Sequence, residues 1–200
     1  MSTVTPRERR HQRTKDAILE ASRQIIREAG ADGLSMREIA KRIDYSPAGL
    51  YEYFGSKDEI IKALCHQGHS RLTARMTTID TALPADKYLV EIGKAYIAFA
   101  LQNAEQYLMM FTNPAFAGSP AQIEEDESSL SILLATIQRG LDEGIFVSKP
   151  DFGQLEMAYA AWSLVHGISM LRLTSLTEYP FDFAAADEQA INTLVDGLKE

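Results

Sequence analysis

The sequence predicts an all-α protein of about nine helices, with a helix-turn-helix three-helix unit at the front and a helical bundle behind it. Three observations carry this. Apolar residues recur at spacings of three and four along most of the chain, the period of a helix with one buried face. Serines suited to helix caps, prolines at first helical positions and glycines at helix ends punctuate those runs. Strand-type alternation is missing, apart from the few residues of GIFVS at 144–148.

Residues 1–12 show no apolar period and read as a flexible basic arm. Thr14 can cap a first helix, in which Ile18, Ala21, Ile25 and Ala29 mark the inward face and Gly30 and Gly33 the end. Ser35 and Glu38 make a capping-box pattern ahead of a short helix with Met36, Ile39, Ala40 and Ile43 inward. Ser46-Pro47 then restarts a helix, with a capping serine and a proline at its first position, running to about Phe54. GSKDE breaks the chain again, and Lys57 to about Ile79 is one long segment. Pro84 opens a helix through Leu101, and Glu105–Phe111 is short. A loop, TNPAFAGSP, precedes a long helix over Pro120–Glu143, whose acidic first turn, Glu124–Glu127, suits the positive end of the helix dipole. Phe152–Leu173 and Ala184–Leu198 close the chain. Three regions follow: an arm (1–12), a helix-turn-helix domain (13–56) and a second helical domain (57–200).

Charge sharpens that division. The net charge of the 200 residues is −8. Residues 1–75 hold 14 Lys and Arg against 10 Asp and Glu, a net of +4, while residues 76–200 hold 6 against 18, a net of −12. The stretch RERRHQRTK, Arg7–Lys15, has five basic residues and one acid. A basic end on an acidic body suits a protein whose front meets a polyanion; a solvated tail is the plainer alternative. One cysteine, Cys65, excludes a disulfide framework and fits a reducing cytoplasm. The uncharged, largely apolar run Met157–Leu171 is shorter than the roughly 20 apolar residues that span a bilayer. The polar N-terminal stretch has no secretory pattern, and a cytoplasmic location is expected.

Two short helices joined by a tight turn, after a longer buttress helix, make the helix-turn-helix pattern. Ile39, Ala40, Ile43, Leu50 and Phe54 supply the apolar lock between them. The second short helix begins with small residues, Ser46, Pro47, Ala48 and Gly49, which let a backbone approach base edges in a major groove. Gly49 costs about 1 kcal/mol relative to alanine inside a helix, and close approach to DNA would explain it. Positive charge comes from its neighbours Arg37, Lys41, Arg42 and Lys57 and from the arm. Arg37 suits a bidentate contact to guanine, Pro47 and Ala48 suit thymine methyls, and Tyr51 and Lys57 suit phosphates. The alternatives are a solvated Arg37 and a Tyr51 lost in the core.

At Ile18–Leu64 the sequence resembles the DNA-binding domain of the TetR/AcrR family of transcriptional regulators, on Gly33-Leu34-Ser35, Ile39-Ala40, Leu50-Tyr51-x-x-Phe54 and Ser56-Lys57. A second resemblance lies at AYAAWSLVHGISML, where Trp162, His166 and Gly167 are similar to the Trp-His-Gly signature of one C-terminal domain type in that family. The resemblance implies DNA contacts from Ser35, Arg37, Pro47, Ala48, Gly49, Tyr51, Tyr53 and Lys57. Many members carry glycine and then a small or hydroxyl residue where this chain has Ala48-Gly49.

The body carries more bulk than a prop needs. Tyr96, Phe99, Tyr107, Met110, Phe111, Phe116, Trp162, His166 and Met170 are candidate walls of a mostly apolar ligand cavity, against the plainer reading of bundle core. The resemblance implies such a cavity without naming its ligand. Cys65, His66 and His69 lack a fourth ligand at useful spacing, so neither a metal nor any other cofactor is expected. The last two helices carry apolar stripes that suit a two-fold homodimer, which would set two reading heads on a palindromic double-stranded DNA operator. The expected function is a dimeric, ligand-responsive transcriptional regulator, most simply a repressor. The alternatives are a DNA-binding architectural protein without ligand and an all-α enzyme; for the latter no nucleophile–base pair or phosphate loop is evident.

Overall fold

The computed structural model describes residues 5–113 and 128–200. Among the described residues it is all-α. The helices are α1 (Pro6–Ala29), α2 (Met36–Arg42), α3 (Pro47–Leu50), α4 (Lys57–Met76), α5 (Ala85–Gln102), α6 (Ala104–Thr112), α7 (Ser129–Asp142), α8 (Gln154–Leu173) and α9 (Ala184–Gly197), with a 3-10 turn at Ala31–Gly33. The expected strand-like stretch after α7 forms no strand; an isolated bridge pairs Lys149 with Phe152. The described residues divide into two compact units, 5–68 with 105–113 and 69–104 with 128–200.

In the first unit α1 begins at Pro6, well before Thr14. Thr5 is the cap: its Oγ accepts from the Glu8 N–H at 3.2 Å, and the Glu8 carboxylate accepts from the Thr5 N–H at 2.7 Å. Pro6 occupies the first helical position of this capping box. The flexible-arm reading of residues 6–12 is corrected accordingly. Arg, Glu and Gln are good helix formers, and a helix nucleated and packed further along extends at little cost without an apolar stripe. Thr14 sits inside the helix and donates its hydroxyl to the Arg10 carbonyl at 3.2 Å.

The buried face of α1 is Ile18, Leu19, Ala21, Ser22, Ile25 and Ile26. α1 packs against the 3-10 turn and α2, and Leu34, Ile39, Ala40, Leu50 and Phe54 with Ile60, Ile61 and Leu64 of α4 are buried in the same unit. Full burial of each such aliphatic chain contributes roughly 1.5–3 kcal/mol. Ser35 caps α2, its Oγ accepting from the Glu38 N–H at 3.2 Å. α2 ends on Asp44, at φ 53°, and the Tyr45 N–H reaches back to the Ala40 carbonyl at 2.8 Å. That is a Schellman ending with aspartate in the left-handed position. Ser46 caps α3 as expected, accepting from the Gly49 N–H at 3.0 Å. α3 proper stops at Leu50, but the Tyr53 and Phe54 amides both donate to its carbonyl, at 2.9 and 3.0 Å, which carries the turn to Phe54. α6 closes this unit: Tyr107 is fully buried, Gln106 donates to the Leu64 carbonyl at 3.2 Å, and the Cys65 thiol to the Met109 carbonyl at 3.8 Å.

The second unit is built around α5, which packs against α7, α8 and α9. Gly93 permits the close approach: a Cβ there would stand 3.4 Å from both Ile191 and Val165 side chains. Arg139 of α7 donates to the Thr81 and Leu83 carbonyls at 2.9 and 3.0 Å, with its guanidinium 5.1 Å from the Tyr88 ring centroid. Beyond α7, Phe146 folds its ring onto Gly140. α7 begins at Ser129 with Ser128 as its cap, which corrects the expected start near Pro120; the cap is a serine side chain accepting from the Ser131 N–H at 3.1 Å, and the helix has no acid in its first turn. Glu124–Glu127 lie outside the described residues. No helix of the described residues is long and apolar enough to cross a membrane.

Candidate nucleic-acid interface

α2, its turn and α3 place the expected contact residues on one exposed stretch. Ser35, Arg37, Ser46, Pro47 and Ala48 are exposed, Gly49, Tyr53 and Lys57 half-buried. Tyr51 is 56% exposed, which removes the core alternative for it. The cations sort by partner. Arg42 bonds Glu28 at 2.8 Å and lies 3.7 Å from Glu38, tying α2 to α1. Arg37, Lys41 and Lys57 make no ion pair among the described residues. An arginine held by two carboxylates is neutralised; Arg37 on the same short helix keeps its full charge for a partner.

Gly49 has an intramolecular reason to be glycine. A Cβ there would stand 2.7 Å from Cε1 of Tyr45 and 3.0 Å from Oγ of Ser46. The Tyr45 ring covers it. This gives the residue a reason within the chain, beside the expected close approach to DNA. Tyr45 meets Tyr53 edge-on, with centroids 6.1 Å apart and hydroxyls at 3.4 Å. The hydrogen bond it shares with Tyr53 favours the neutral Tyr45 phenol and raises it from its ordinary value. Tyr53 in turn stacks on His11, centroids 4.7 Å apart and planes 26° from parallel. Sequence reasoning gave no role to Tyr45 or His11. The helical start at Thr5-x-x-Glu8 was readable as a capping box, and it would have put His11 on the same helix face as Lys15 and Ile18.

The candidate cavity residues fall in both units. Tyr107, Met110 and Phe111 belong to the first, where Tyr107 and Phe111 rings meet at 4.8 Å and Met110 fills the space above Gly68, 2.4 Å from where its Cβ would be. Tyr96, Phe99, Trp162, His166 and Met170 belong to the second. There the Trp162 indole N–H donates to the Tyr96 hydroxyl at 3.3 Å, and that hydroxyl bonds His166 Nδ1 at 3.2 Å. Burial holds the His166 imidazole below its ordinary range. Phe116 lies outside the described residues. Along the outer side of α8, Leu155 and Tyr159 are 66% and 71% exposed and Trp162 37%. With Phe152, Glu156, Ala160 and Ser163, the first two line an open depression of ≈ 560 Å³.

Comparison with known proteins agrees with this geometry. Residues 18–64 match the model of bacterial regulatory proteins, tetR family, and residues 89–196 match that of the tetracyclin repressor-like C-terminal domain. The chain is 22% identical over 185 residues, 92% of each chain, to an uncharacterized HTH-type transcriptional regulator, YobS, of Bacillus subtilis. Over 80 residues it is 36% identical to the HTH-type transcriptional regulator UidR of Escherichia coli, a match spanning 40% of this chain and 41% of UidR. Its fold is shared with a protein of unknown function from Rhodococcus sp. RHA1 (TM-score 0.78, 22% identity, 93% and 95% of the two chains). It is also shared with the regulator PfmR of Thermus thermophilus (TM-score 0.63, 20% identity, 91% and 96%). The second family model alone spans more than half of the chain. The chain belongs to the tetR family of bacterial regulatory proteins: it is a helix-turn-helix transcriptional regulator, and not an enzyme.

Proposed function

We propose that this regulator reads a palindromic DNA operator as a homodimer and is released from it by a small, mostly apolar effector, so that it acts as a cytoplasmic repressor. The observation that supports this best is the exposed stretch from Ser35 to Lys57. It combines small side chains at Ser46, Pro47 and Ala48 with an exposed Tyr51 and with Arg37, Lys41 and Lys57, which make no ion pair among the described residues. In this reading Arg37 contacts guanine, Pro47, Ala48 and the backbone at Gly49 meet base edges, and Ser35, Tyr51 and Lys57 hold phosphates. Ser46 caps the helix and offers only its hydroxyl proton outward. Tyr53 orients its neighbours more than it grips DNA, since its ring stacks on His11 and meets Tyr45 edge to face.

A second copy of this chain is the proposed occupant of the outer face of α8, beside α9. One short reading helix contacts too few bases for specificity, and two heads about 34–36 Å apart read successive half-sites. Leu155 and Tyr159 supply the buried apolar area such a pairing needs. Tyr159→Arg is expected to convert the dimer to monomer in sedimentation and to abolish palindrome preference; a variant that stays dimeric refutes that face. In the second unit, Tyr96, Trp162 and His166 offer polar groups within apolar surroundings, the pattern of a pocket that orients a ligand by a few hydrogen bonds. An effector releases DNA only if it binds the two conformations unequally.

Selection of duplexes from a random pool tests the reading directly. A palindromic motif is expected. Arg37→Ala should relax preference at one base position per half-site, costing roughly 1–3 kcal/mol there, while Lys57→Ala should weaken all sequences alike. A uniform loss in both, or no motif at all, refutes these roles.

A further inference from the structure

Residues 6–13 continue α1 as a helix, and Arg7, Arg10 and Arg13 on it are exposed with no ion pair among the described residues. That helical extension is also held in place. His11 stacks on Tyr53 at 4.7 Å. Lys15, one turn further on, sets its ammonium 5.4 Å from the Phe54 ring centroid. Because Tyr45 lies between Gly49 and Tyr53, an unbroken run of contacts, Gly49 to Tyr45 to Tyr53 to His11, joins the start of α3 to the basic end of α1.

We propose that the first turns of α1 form a second DNA-contacting element, directed at the sugar-phosphate backbone beside the site that α3 reads, and that His11 is the positioning residue that sets where Arg7 and Arg10 meet it. This rests on the reading of Ser35–Lys57 as the DNA-facing stretch. Arg7 lies four residues before His11, hence on the same helix face and about 6 Å further along the axis. Arg10 is beside it. Both arginines are exposed and lie within about one helical turn of the ring that stacks on Tyr53. The stack needs a flat ring at position 11 and no particular charge there. Arginines on a helix of fixed pitch meet phosphates at fixed spacing, and the ring contact decides which phosphates those are.

The test uses full-length protein and a duplex recovered from a random pool by the wild type, with affinity measured over a range of salt. Arg7→Ala with Arg10→Ala is expected to reduce the slope of log K against log salt by about 2 per half-site, since each phosphate contact contributes about 0.9. His11→Ala should weaken binding about 5- to 20-fold and reduce the slope by about 1, a loss on the scale of one phosphate contact. His11→Phe keeps a flat ring on Tyr53 and should restore the slope. Adding His11→Ala to the double arginine variant should cost no further affinity, because His11 acts through those side chains. An unchanged slope in His11→Ala, with or without a lower melting temperature, overturns the proposal. So does an equal loss in the Arg7→Ala, Arg10→Ala background. A wild type that recovers no preferred duplex refutes the DNA-facing stretch and the proposal together, whereas a recovered duplex indifferent to His11→Ala refutes the proposal alone.

Discussion

Gly140→Ala is expected to destabilise the second unit, in spite of placing a better helix former within α7. A Cβ at this position would stand 2.1, 2.3 and 2.9 Å from three ring carbons of Phe146, far inside contact distance. The ring cannot simply withdraw. Phe146 is 3% exposed, and its own N–H and that of Ile145 are bonded to the Gly140 carbonyl at 3.0 and 2.9 Å. Two limits bracket the cost. Local repacking around an extra methyl in a filled core costs about 1–3 kcal/mol. Expelling the ring approaches the roughly 3–5 kcal/mol of a Phe→Ala change. Alanine returns about 1 kcal/mol of helix propensity. Taking the middle of each limit, about 2 and 4 kcal/mol, less that 1 leaves roughly 1–3 kcal/mol of destabilisation, which for a chain of this size lowers Tm by about 2–12 °C. Thermal unfolding followed by circular dichroism measures it. Phe146→Leu in the same chain should recover part of the loss, so the double variant falls short of the sum of the singles. A Tm equal to or above the wild type's would refute the reasoning, because it would mean the ring does not rest on Gly140.

Gly49→Ala should behave differently. The nearest atom to the added Cβ is the ring of Tyr45, which is 41% exposed and can swing outward. The lost aromatic contact of about 0.5–1.5 kcal/mol is offset by about 1 kcal/mol of helix propensity, so Tm should stay within a few degrees while the base preference in duplex selection changes. Burial pushes the Cys65 thiol up to about 11. At pH 8 about one thiol in a thousand is then ionised, and an aromatic disulfide reagent should react with native protein far more slowly than with denatured protein; comparable rates would show α6 opening from α4. His166 is held below its ordinary value by burial, so the folded state binds fewer protons than the unfolded one. Its contribution to stability is therefore complete above about pH 6.5 and is lost as the pH falls through the lower folded value. The difference between wild type and His166→Gln in denaturant melts should narrow or reverse between pH 8 and 5.5; a constant difference would contradict this.

The helix-turn-helix unit was legible in the sequence because its signals are local and redundant. Ser35, Ser46 and Pro47 announce helix starts, and the structure puts each of them to that use. The exposure of Arg37 and Tyr51 also followed from pattern. What escaped was contact between distant positions. Nothing periodic links His11 to Tyr53, or Phe146 to Gly140, since ring stacking and steric fit leave no mark on spacing. The arm was missed for another reason: charge-rich segments look unstructured when judged by apolar period, yet Thr5 and Glu8 satisfy the first amides by themselves. For α7 the acidic run was taken for the first turn of the helix, whereas Ser128, the next residue, is the cap. The residues of the proposed cavity were chosen chiefly by bulk, and bulk does not distinguish Tyr107, fully buried beside α4, from Trp162, partly open on α8.

The helical start of α1 also bears on how quickly such a protein can search. Fixing a residue's backbone costs about 1–2 kcal/mol, so ordering residues 6–13 only on contact would set a gross penalty on the order of 10 kcal/mol against every landing. With the capping box closed beforehand, that ordering is complete before the encounter. In the proposed role, the arm can then dissociate from one stretch of non-specific duplex and settle on the next without refolding. Its search is governed by diffusion and by the ionic strength around its arginines.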